Sequence, residues 1–334
     1  MTAFPGLVPG NVQIDLLSQI LITAPSFPFA NVALSFESMN IGMRKGAKLI
    51  REVKGTEDVG KRTMVDRVAV KIEAELMQNG LATLLNVYKL SQQNCQARIK
   101  TYQGKYYTFV ENAAGLAAPD GSSLIPIGFE FTIGTNERSL KINSELEMAV
   151  QEWQWLIANA QMDAAHVGET GTAPSPALAL TEVGYNRAGY KRNGLQGFSY
   201  AGASMGEIGS GSKITLKSTS KKKDHRERPY YRFIEVSGEL ILLQTGNADQ
   251  QALSDNLEAT DGDLEITTWE GETIKLIDGA VGYEGTTEIG DGKFETKISI
   301  KGEIPYNVAD ATPTTVDIGD TTATELVLDL GIYS

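Results

Sequence analysis

The stretch Lys71-Ile-Glu-Ala-Glu-Leu76 decides the fold, because it recurs later in the chain as Glu235-Val-Ser-Gly-Glu-Leu240. In both stretches apolar residues alternate with polar ones, which is the two-residue period of a β-strand that buries one face. The pattern predicts two strands in the same phase, 164 residues apart. Their polar faces carry the candidate acidic residues Glu73, Glu75, Glu235 and Glu239.

Two further pairs of segments recur in the same order. Residues 101–110 match residues 268–277 around a shared glycine, which predicts a β-hairpin in each copy. Residues 140–146 match residues 298–304 as alternating strands. These offsets are 167 and 158 residues, so they differ from the first only by loop-sized insertions. The collinear matches indicate a tandem repeat.

The repeat predicts a mainly β fold of the α+β type, with two tandem antiparallel domains that form sandwiches or barrels. Each domain also contains a short helix, because helical apolar spacing occurs over residues 81–88 and 248–257. The predicted divisions are an N-terminal arm at 1–30, a first domain at 31–147, a helix and linker at 148–193, a second domain at 194–305 and a tail at 306–334.

Charge is spread unevenly along the chain. Its 334 residues include 42 acidic and 30 basic ones, for a formal net charge of -12. Residues 239–334 hold 20 acidic residues and four lysines. Two segments are basic: residues 44–71 hold nine basic and four acidic residues, and residues 213–232 hold eight and two. The overall acidity disfavours a nucleic-acid coat or a polybasic membrane anchor, since like charge cancels the gain from counterion release.

Patterns for catalysis or metal binding are weak. The single cysteine, Cys95, cannot form an internal disulfide, and His166 and His225 occur in unrelated contexts. The glycine-rich stretch 206–215 lacks the Lys-Ser/Thr pair that must follow the last glycine of a phosphate-binding loop. The sequence therefore predicts neither an enzyme nor a bound cofactor or metal. No stretch is long and apolar enough to span a bilayer, and residues 1–20 lack the features of a secretory signal, so we expect synthesis in the cytoplasm.

One segment leaves an alternative open. Residues 221–231 combine cations with aromatic residues, as a surface for single-stranded nucleic acid does. In a chain this acidic, a solvated or interface-forming loop is the favoured interpretation.

A long basic segment, then a strand, a short helix, a hairpin and a strand, in a chain with no catalytic site, resembles the tail tube (major tail) proteins of tailed bacteriophages and contractile injection machines. The resemblance covers residues 31–147 and 194–305. In that family each domain packs two antiparallel sheets, six domains close into a ring whose lumen is a continuous barrel, and rings stack into a tube. A duplicated form builds the pseudo-sixfold ring from three chains.

The resemblance implies a structural virion protein, made in the host cytoplasm and located in the tail. Its expected partners are two further copies in the ring, the stacked rings, other tail proteins, and DNA that passes without sequence-specific binding. The family's long loop contacts the neighbouring ring, which implies that role for segments 44–67 and 213–228, read as long polar loops. The basic residues to which this role is assigned are Arg44, Lys45, Lys48, Arg51, Lys54, Lys61, Arg62, Lys213, Lys217, Lys221, Lys222, Lys223, Arg226 and Arg228.

Departures from two minimal tube domains keep other functions open. The apolar helix predicted from Val150, the linker at Gly168 and the tail after Pro305 are additional. They allow a tail terminator, a baseplate or hub protein, or a capsid component. The alternatives outside the virion are a glycan-binding adhesive β-sandwich and a β-rich hydrolase.

Overall fold

Alternation of apolar and polar residues runs through most of the chain, and strands form wherever it does in the computed structural model. The structure describes residues 8–24, 32–37, 43–57, 63–76, 80–109, 124–135, 137–158, 161–162, 194–223, 229–244, 255, 263–269, 271–277, 281–290, 293–305, 316–318 and 325–329. These residues form twenty strands and two helices. They confirm the mainly β, antiparallel fold expected from the sequence.

The strands in chain order are β1 (Val12–Thr23), β2 (Ala33–Glu37), β3 (Met43–Glu57), β4 (Thr63–Leu76), β5 (Asn94–Thr101), β6 (Lys105–Phe109), β7 (Ile125–Pro126), β8 (Gly128–Gly134), β9 (Arg138–Ala149), β10 (Gln161–Met162), β11 (Leu195–Tyr200), β12 (Ala203–Ile208), β13 (Lys213–Lys223), β14 (Pro229–Gln244), β15 (Leu264–Thr268), β16 (Thr273–Ile277), β17 (Val281–Gly290), β18 (Lys293–Pro305), β19 (Val316–Ile318) and β20 (Glu325–Asp329). The helices are α1 (Leu81–Ser91) and α2 (Val150–Ala158).

Eight long strands form the main sheet, in the order β3-β4-β9-β8-β13-β14-β18-β17, with every neighbour antiparallel. The first four come from the N-terminal half of the chain and the last four from the C-terminal half. They meet where β8 pairs with β13. The first residues of β1 extend the sheet beyond β3. Within the described residues β1 and β17 do not pair with each other, so the main sheet stays open.

The core lies against one face of the main sheet. Alternate residues of its strands, such as Ile72 and Ile142, point into this core and are almost fully buried. Strands β1 and β2 cover them, and Ile20, Ile22 and Phe36 line a small cavity together with Ile72 and Ile142. Buried residues of the two halves belong to one continuous apolar cluster.

The two helices cover further parts of this core. Helix α1 begins after Gly80 and buries Leu81, Leu84 and Tyr88, which confirms the helix expected over residues 81–88. Helix α2 buries Trp153, whose ring stacks on Tyr107 with centroids 5.9 Å apart, and it confirms the helix expected from residue 150. The helix expected over residues 248–257 lies outside the described residues, apart from residue 255. Neither helix within the described residues is long and apolar enough to cross a membrane.

Strand registers in the C-terminal half repeat those in the N-terminal half. Leu76 of β4 lies opposite Leu140 of β9, and Leu240 of β14 lies opposite Ile298 of β18. Each of these four residues comes from the segments that match in sequence. The offsets of 164 and 158 residues inferred from the sequence therefore bring equivalent residues into equivalent pairs.

The two β-hairpins share the same turn. Gly104 and Gly271 have φ angles of 82° and 80°, which glycine adopts at no steric cost. In the first turn the Thr101 hydroxyl accepts a hydrogen bond from the Lys105 amide at 3.1 Å. In the second, Thr268 accepts one from the Glu272 amide at the same distance.

The strand beside each hairpin also bulges at the same register. Strand β1 shifts register between Leu17 and Gln19, where Leu17 lies opposite Thr101. Strand β11 shifts between Leu195 and Gly197, where Leu195 lies opposite Thr268. The structure thus places a bulge beside each threonine of the shared turn.

Two sequence predictions are wrong. The described parts of segments 44–67 and 213–228, which are residues 44–57, 63–67 and 213–223, are strands and not loops, because β3 pairs with β4 and β13 pairs with β14. Apolar residues such as Leu49 and Leu216 alternate with the lysines and point into the core, so the charges mark one strand face. The arm expected over residues 1–30 is wrong for Val12–Thr23, which forms β1 between β3 and β5.

Residues 325–329 of the predicted tail form β20. It pairs in parallel with β16, so part of the predicted tail joins the sheet of the C-terminal half. The linker expected after α2 lies outside the described residues, except for the short strand β10, which pairs with β6.

Candidate assembly surface

The second face of the main sheet is polar, and it runs without interruption across both halves. Alternation puts the side chains between the core residues on this face, where most are partly or fully exposed. Among the side chains that the structure describes in the strands β3 to β18, nine basic and nine acidic residues share it. They are Lys48, Lys54, Arg67, Lys71, Lys141, Lys213, Lys217, Lys297 and Lys301, with Glu52, Glu73, Glu75, Glu130, Glu145, Glu147, Glu235, Glu239 and Glu303.

The opposite charges are interleaved on this polar face. One row across six strands reads Glu75, Lys141, Glu130, Lys217, Glu235 and Glu303. Within the row, Lys141 forms an ion pair with Glu130 at 2.8 Å. The first five residues of the row alternate in sign, and opposite charges on directly facing residues stabilise an antiparallel sheet. At the end of the row Glu235 and Glu303 are like charges that face each other. All four acidic residues singled out in the sequence lie on this face, and each lies opposite a lysine: Glu73 opposite Lys48, Glu75 opposite Lys141, Glu235 opposite Lys217 and Glu239 opposite Lys213.

Ion pairs on the polar face shift the ionisation of their members. Glu73 lies 2.8 Å from Lys48 and 2.6 Å from Lys71. Hydrogen bonds from Lys48 and then Lys71 hold the pKa of the Glu73 carboxyl below its ordinary value. The hydrogen bond to Glu130 raises the pKa of Lys141. The ion pairs therefore favour the charged forms of Glu73 and Lys141.

The junction between β8 and β13 shows how one half of the chain docks on the other. Phe131 lies opposite Leu216 on the core face of the sheet, and Glu130 lies opposite Lys217 on the polar face. The hydroxyls of Thr132 and Thr215 hydrogen-bond across the junction at 3.2 Å. The junction therefore combines a backbone ladder, an apolar pair and an opposite-charge pair.

Two contacts outside the main sheet strengthen this junction. Arg138 of β9 forms a largely buried ion pair with Glu272, which precedes β16. Gly194 packs so closely on the backbone of Thr135 that a Cβ atom at position 194 would overlap its carbonyl oxygen. No sequence pattern signals the ion pair, because Arg138 and Glu272 are 134 residues apart.

The basic residues predicted to contact a neighbouring ring take several positions. Lys48 and Lys54 pair with glutamates on the polar face, and Arg51 pairs with Asp15 on the opposite face. Lys213 and Lys217 are exposed on the polar face of β13, and Lys223 is exposed near its end. The strand backbone is described at Arg44, Lys45, Lys221 and Lys222, but their side chains are not. Lys61, Arg62, Arg226 and Arg228 lie outside the described residues.

The remaining chemical candidates within the described residues lie in the core, and His166 and His225 lie outside the described residues. Cys95 is fully buried, and burial raises the pKa of its thiol. Trp153 is buried against Tyr107 and is not presented to a ligand. Within the described residues, no three histidine, cysteine or acidic side chains are grouped closely enough to hold a metal ion.

Comparison with known proteins adds no assignment. No protein-family model and no curated protein sequence matches the chain.

Proposed function

We propose that this chain is a structural subunit of a phage-type tail tube, in which copies close into rings through the edges of the main sheet. The observation that carries the proposal is the β8–β13 junction, where one half docks on the other by pairing strand edges. The two halves repeat the same registers, which supports a duplicated domain. The chain then offers the same type of edge to a second copy.

The repeated registers define which edges would meet. Strand β17 pairs with β18 in the same register in which β8 pairs with β9. Val281 faces Ile300, and at the equivalent position Phe129 faces Ile142. Strand β3 likewise pairs with β4 in the same register in which β13 pairs with β14. Leu49 faces Ile72, and at the equivalent position Leu216 faces Val236. Strand β17 of one copy is therefore the counterpart of β8, and β3 of the next copy is the counterpart of β13.

Transferring the register of the internal junction to these strands gives a chemically sensible pairing. Tyr283 of one copy falls opposite Leu49 of the next, as Phe131 falls opposite Leu216 within the chain. Glu284 falls opposite Lys48, so residues of opposite charge face each other. The register follows from the backbone pairing of β8 with β13 alone, and both side-chain matches favour it.

The number of copies follows from the two halves. Two equivalent units per chain give six equivalent positions in a ring of three chains, and closed rings are the usual outcome for homo-oligomers. Each chain contributes eight strands to the sheet of such a ring. Closure also removes the open edges of the main sheet, which otherwise invite aggregation.

The polar face of the main sheet fits the wall of a DNA conduit. A strongly basic wall would retain DNA through release of counterions from the phosphates. The described side chains of this face instead interleave basic and acidic residues in equal numbers, and many of them are already paired. We therefore assign this face to the lumen. The chain would then belong to the virion tail and would contact other tail proteins at the tube ends.

The role of the basic hairpins in contacts between rings stays a prediction. Their tips, residues 58–62 and 224–228, lie outside the described residues. Their strands, however, extend the charged segments away from the centre of the sheet, which suits a contact with the next layer.

Cross-linking tests the proposed edge pairing directly. We expect the double variant Lys48→Cys/Glu284→Cys to give covalent dimers and closed trimers after mild oxidation, and negative-stain images to show rings. Each single variant is the matched control and gives no trimers. Cys95 adds no background, because it is fully buried.

Three outcomes contradict parts of the proposal. A chain that stays monomeric at all concentrations contradicts ring formation and favours an adhesive module. Rings of six chains contradict the duplication. Rings that never stack contradict the tube and favour a tail terminator.

A further inference from the structure

We infer that residues 12–17, here called the capping segment, cover the β3 edge on which a second copy docks, and that assembly displaces them. The inference rests on the proposed function, since it concerns the same edge. It assigns a further role to β1: the strand protects the assembly edge of the isolated chain until a second copy of the same chain takes its place.

The capping segment occupies the docking residues themselves. Leu17 lies opposite Ala47, Leu16 opposite Lys48, and Ile14 opposite Ile50. The corresponding residues of β13, from Ile214 to Lys217, pair instead with β8 of the other half. Two different strands therefore fill the same place in the two halves. In the N-terminal half that place is filled by a strand of the same half, and in the C-terminal half by a strand of the other half.

The capping segment is held only lightly. Val12, Ile14 and Leu16 are 53%, 57% and 61% exposed, and of the six residues only Leu17 is buried. Since apolar burial is the main favourable term in folding, this segment contributes little to it.

The second half of β1 is anchored differently. It buries Ile20 and Ile22 in the core and pairs with β5. Leu17 lies at the boundary, opposite both Ala47 of β3 and Thr101 of β5. The bulge at Ser18 separates the two halves of the strand. The capping segment is therefore able to leave β3 while the rest of β1 stays in the sheet.

One ion pair fastens the capping segment. Asp15 pairs with Arg51 at 2.5 Å, and their side chains are only 14% and 11% exposed. The guanidinium of Arg51 also lies over the Trp153 ring, 5.1 Å from its centroid. Arg51 thus keeps a favourable contact after release, and Asp15 becomes solvated with the segment.

When an incoming strand replaces the capping segment, β3 keeps the same number of backbone hydrogen bonds. The capping segment and an incoming β17 are both antiparallel partners for the same stretch of β3, so the hydrogen bonds lost to one strand are made with the other. The choice between them depends on the opposing side chains and on the concentration of copies. This identifies the partner as another copy of this chain, whose Glu284 and Tyr283 match Lys48 and Leu49.

A reversible disulfide between β1 and β3, here called the clamp, tests the inference. In the variant Ile14→Cys/Ile50→Cys the new cysteines face each other across β1 and β3. The matched control, Thr23→Cys/Gln96→Cys, links the anchored half of β1 to β5. We expect the oxidised clamp to lose ring formation in negative-stain images and sedimentation, and to regain it on reduction. The control should form rings in both redox states.

A second variant tests the same displacement without a cross-link. Asp15→Asn removes the charge that holds Arg51, so it should assemble faster than the wild type and at lower protein concentration. Unchanged or slower assembly of this variant overturns the inference.

The outcomes separate this inference from the proposed function. If the oxidised clamp forms rings as well as the control does, the displacement is wrong while ring formation stands. If oxidation of the clamp variant links position 14 of one copy to position 50 of another, the segment is exchanged between copies and the intramolecular cap is overturned. If the wild type forms no rings at all, the proposed function fails and this inference fails with it.

Discussion

Removing Glu272 should destabilise the whole chain, because this carboxylate holds the two halves together. It pairs with Arg138, and the two side chains are 14% and 3% exposed. It also lies 3.5 Å from the Leu81 amide at the start of α1, where Gly80 provides no side-chain cap. One residue of the C-terminal half thus compensates a buried cation and a helix terminus of the N-terminal half.

The expected size follows from the burial of the pair. Removing one partner of a buried ion pair costs about 3 to 5 kcal/mol, since the other charge stays uncompensated. The contact with α1 is at the outer limit of a hydrogen bond and adds little. A suitable control is Glu239, whose pair with Lys297 is 3.8 Å long and largely exposed. Such exposed pairs contribute about 0 to 1 kcal/mol.

Urea unfolding at a protein concentration below that of assembly measures the difference. We expect Glu272→Ala to lower the unfolding free energy several times more than Glu239→Ala does. The double variant Arg138→Met/Glu272→Leu should recover much of the loss, because it removes the uncompensated charge. Equal effects of Glu272→Ala and Glu239→Ala would refute the reasoning. A second unfolding transition in Glu272→Ala would show that the halves also unfold separately.

Two further predictions concern the polar face and the junction. Lys48 lowers the pKa of Glu73 in the folded state, so the ionised Glu73 carboxylate stabilises the fold. This contribution is complete above the ordinary glutamate pKa of 4.5 and is lost as the pH falls through the lower pKa of the folded state. Urea midpoints measured against pH should therefore show Glu73→Gln below the wild type at neutral pH and equal to it in acid; a gap that persists in acid contradicts this. Gly194→Ala should lower the thermal midpoint, by overpacking that costs about 1 to 3 kcal/mol, since the added Cβ meets the Thr135 backbone. Gly197→Ala is its control, because the nearest atom there is 3.5 Å away, and equal midpoints would contradict the prediction.

Features with a short sequence period were predictable. The alternation at residues 71–76 and 235–240 correctly predicted β4 and β14, and the shared glycines correctly predicted both hairpin turns. The prediction was wrong where basic residues obscured the same alternation. In β3 the run of lysines and arginines suggested a loop, although Ala47, Leu49 and Val53 kept the two-residue period of a buried face.

Features that depend on pairing between distant strands were not predictable. Arg138 and Glu272 meet only because β8 docks on β13, and neither residue stands out in its local sequence. The capping segment was missed for the same reason. Residues 12–17 contain the alternation of a strand, but only the register with β3 shows that they cover an edge.

The capping segment also addresses a problem that the main sheet creates. Strand β3 is fifteen residues long, and an uncovered edge of that length pairs readily with other chains. A covering strand in the same chain has an effective concentration on the order of millimolar, so it outcompetes chance contacts between dilute chains. Because the exchange gains little from backbone hydrogen bonds, an incoming copy succeeds only through matched side chains and ring closure. Closure makes the last contact intramolecular, and only a copy in the correct register provides it. The strand that protects the isolated chain thereby restricts the edge to its proper partner.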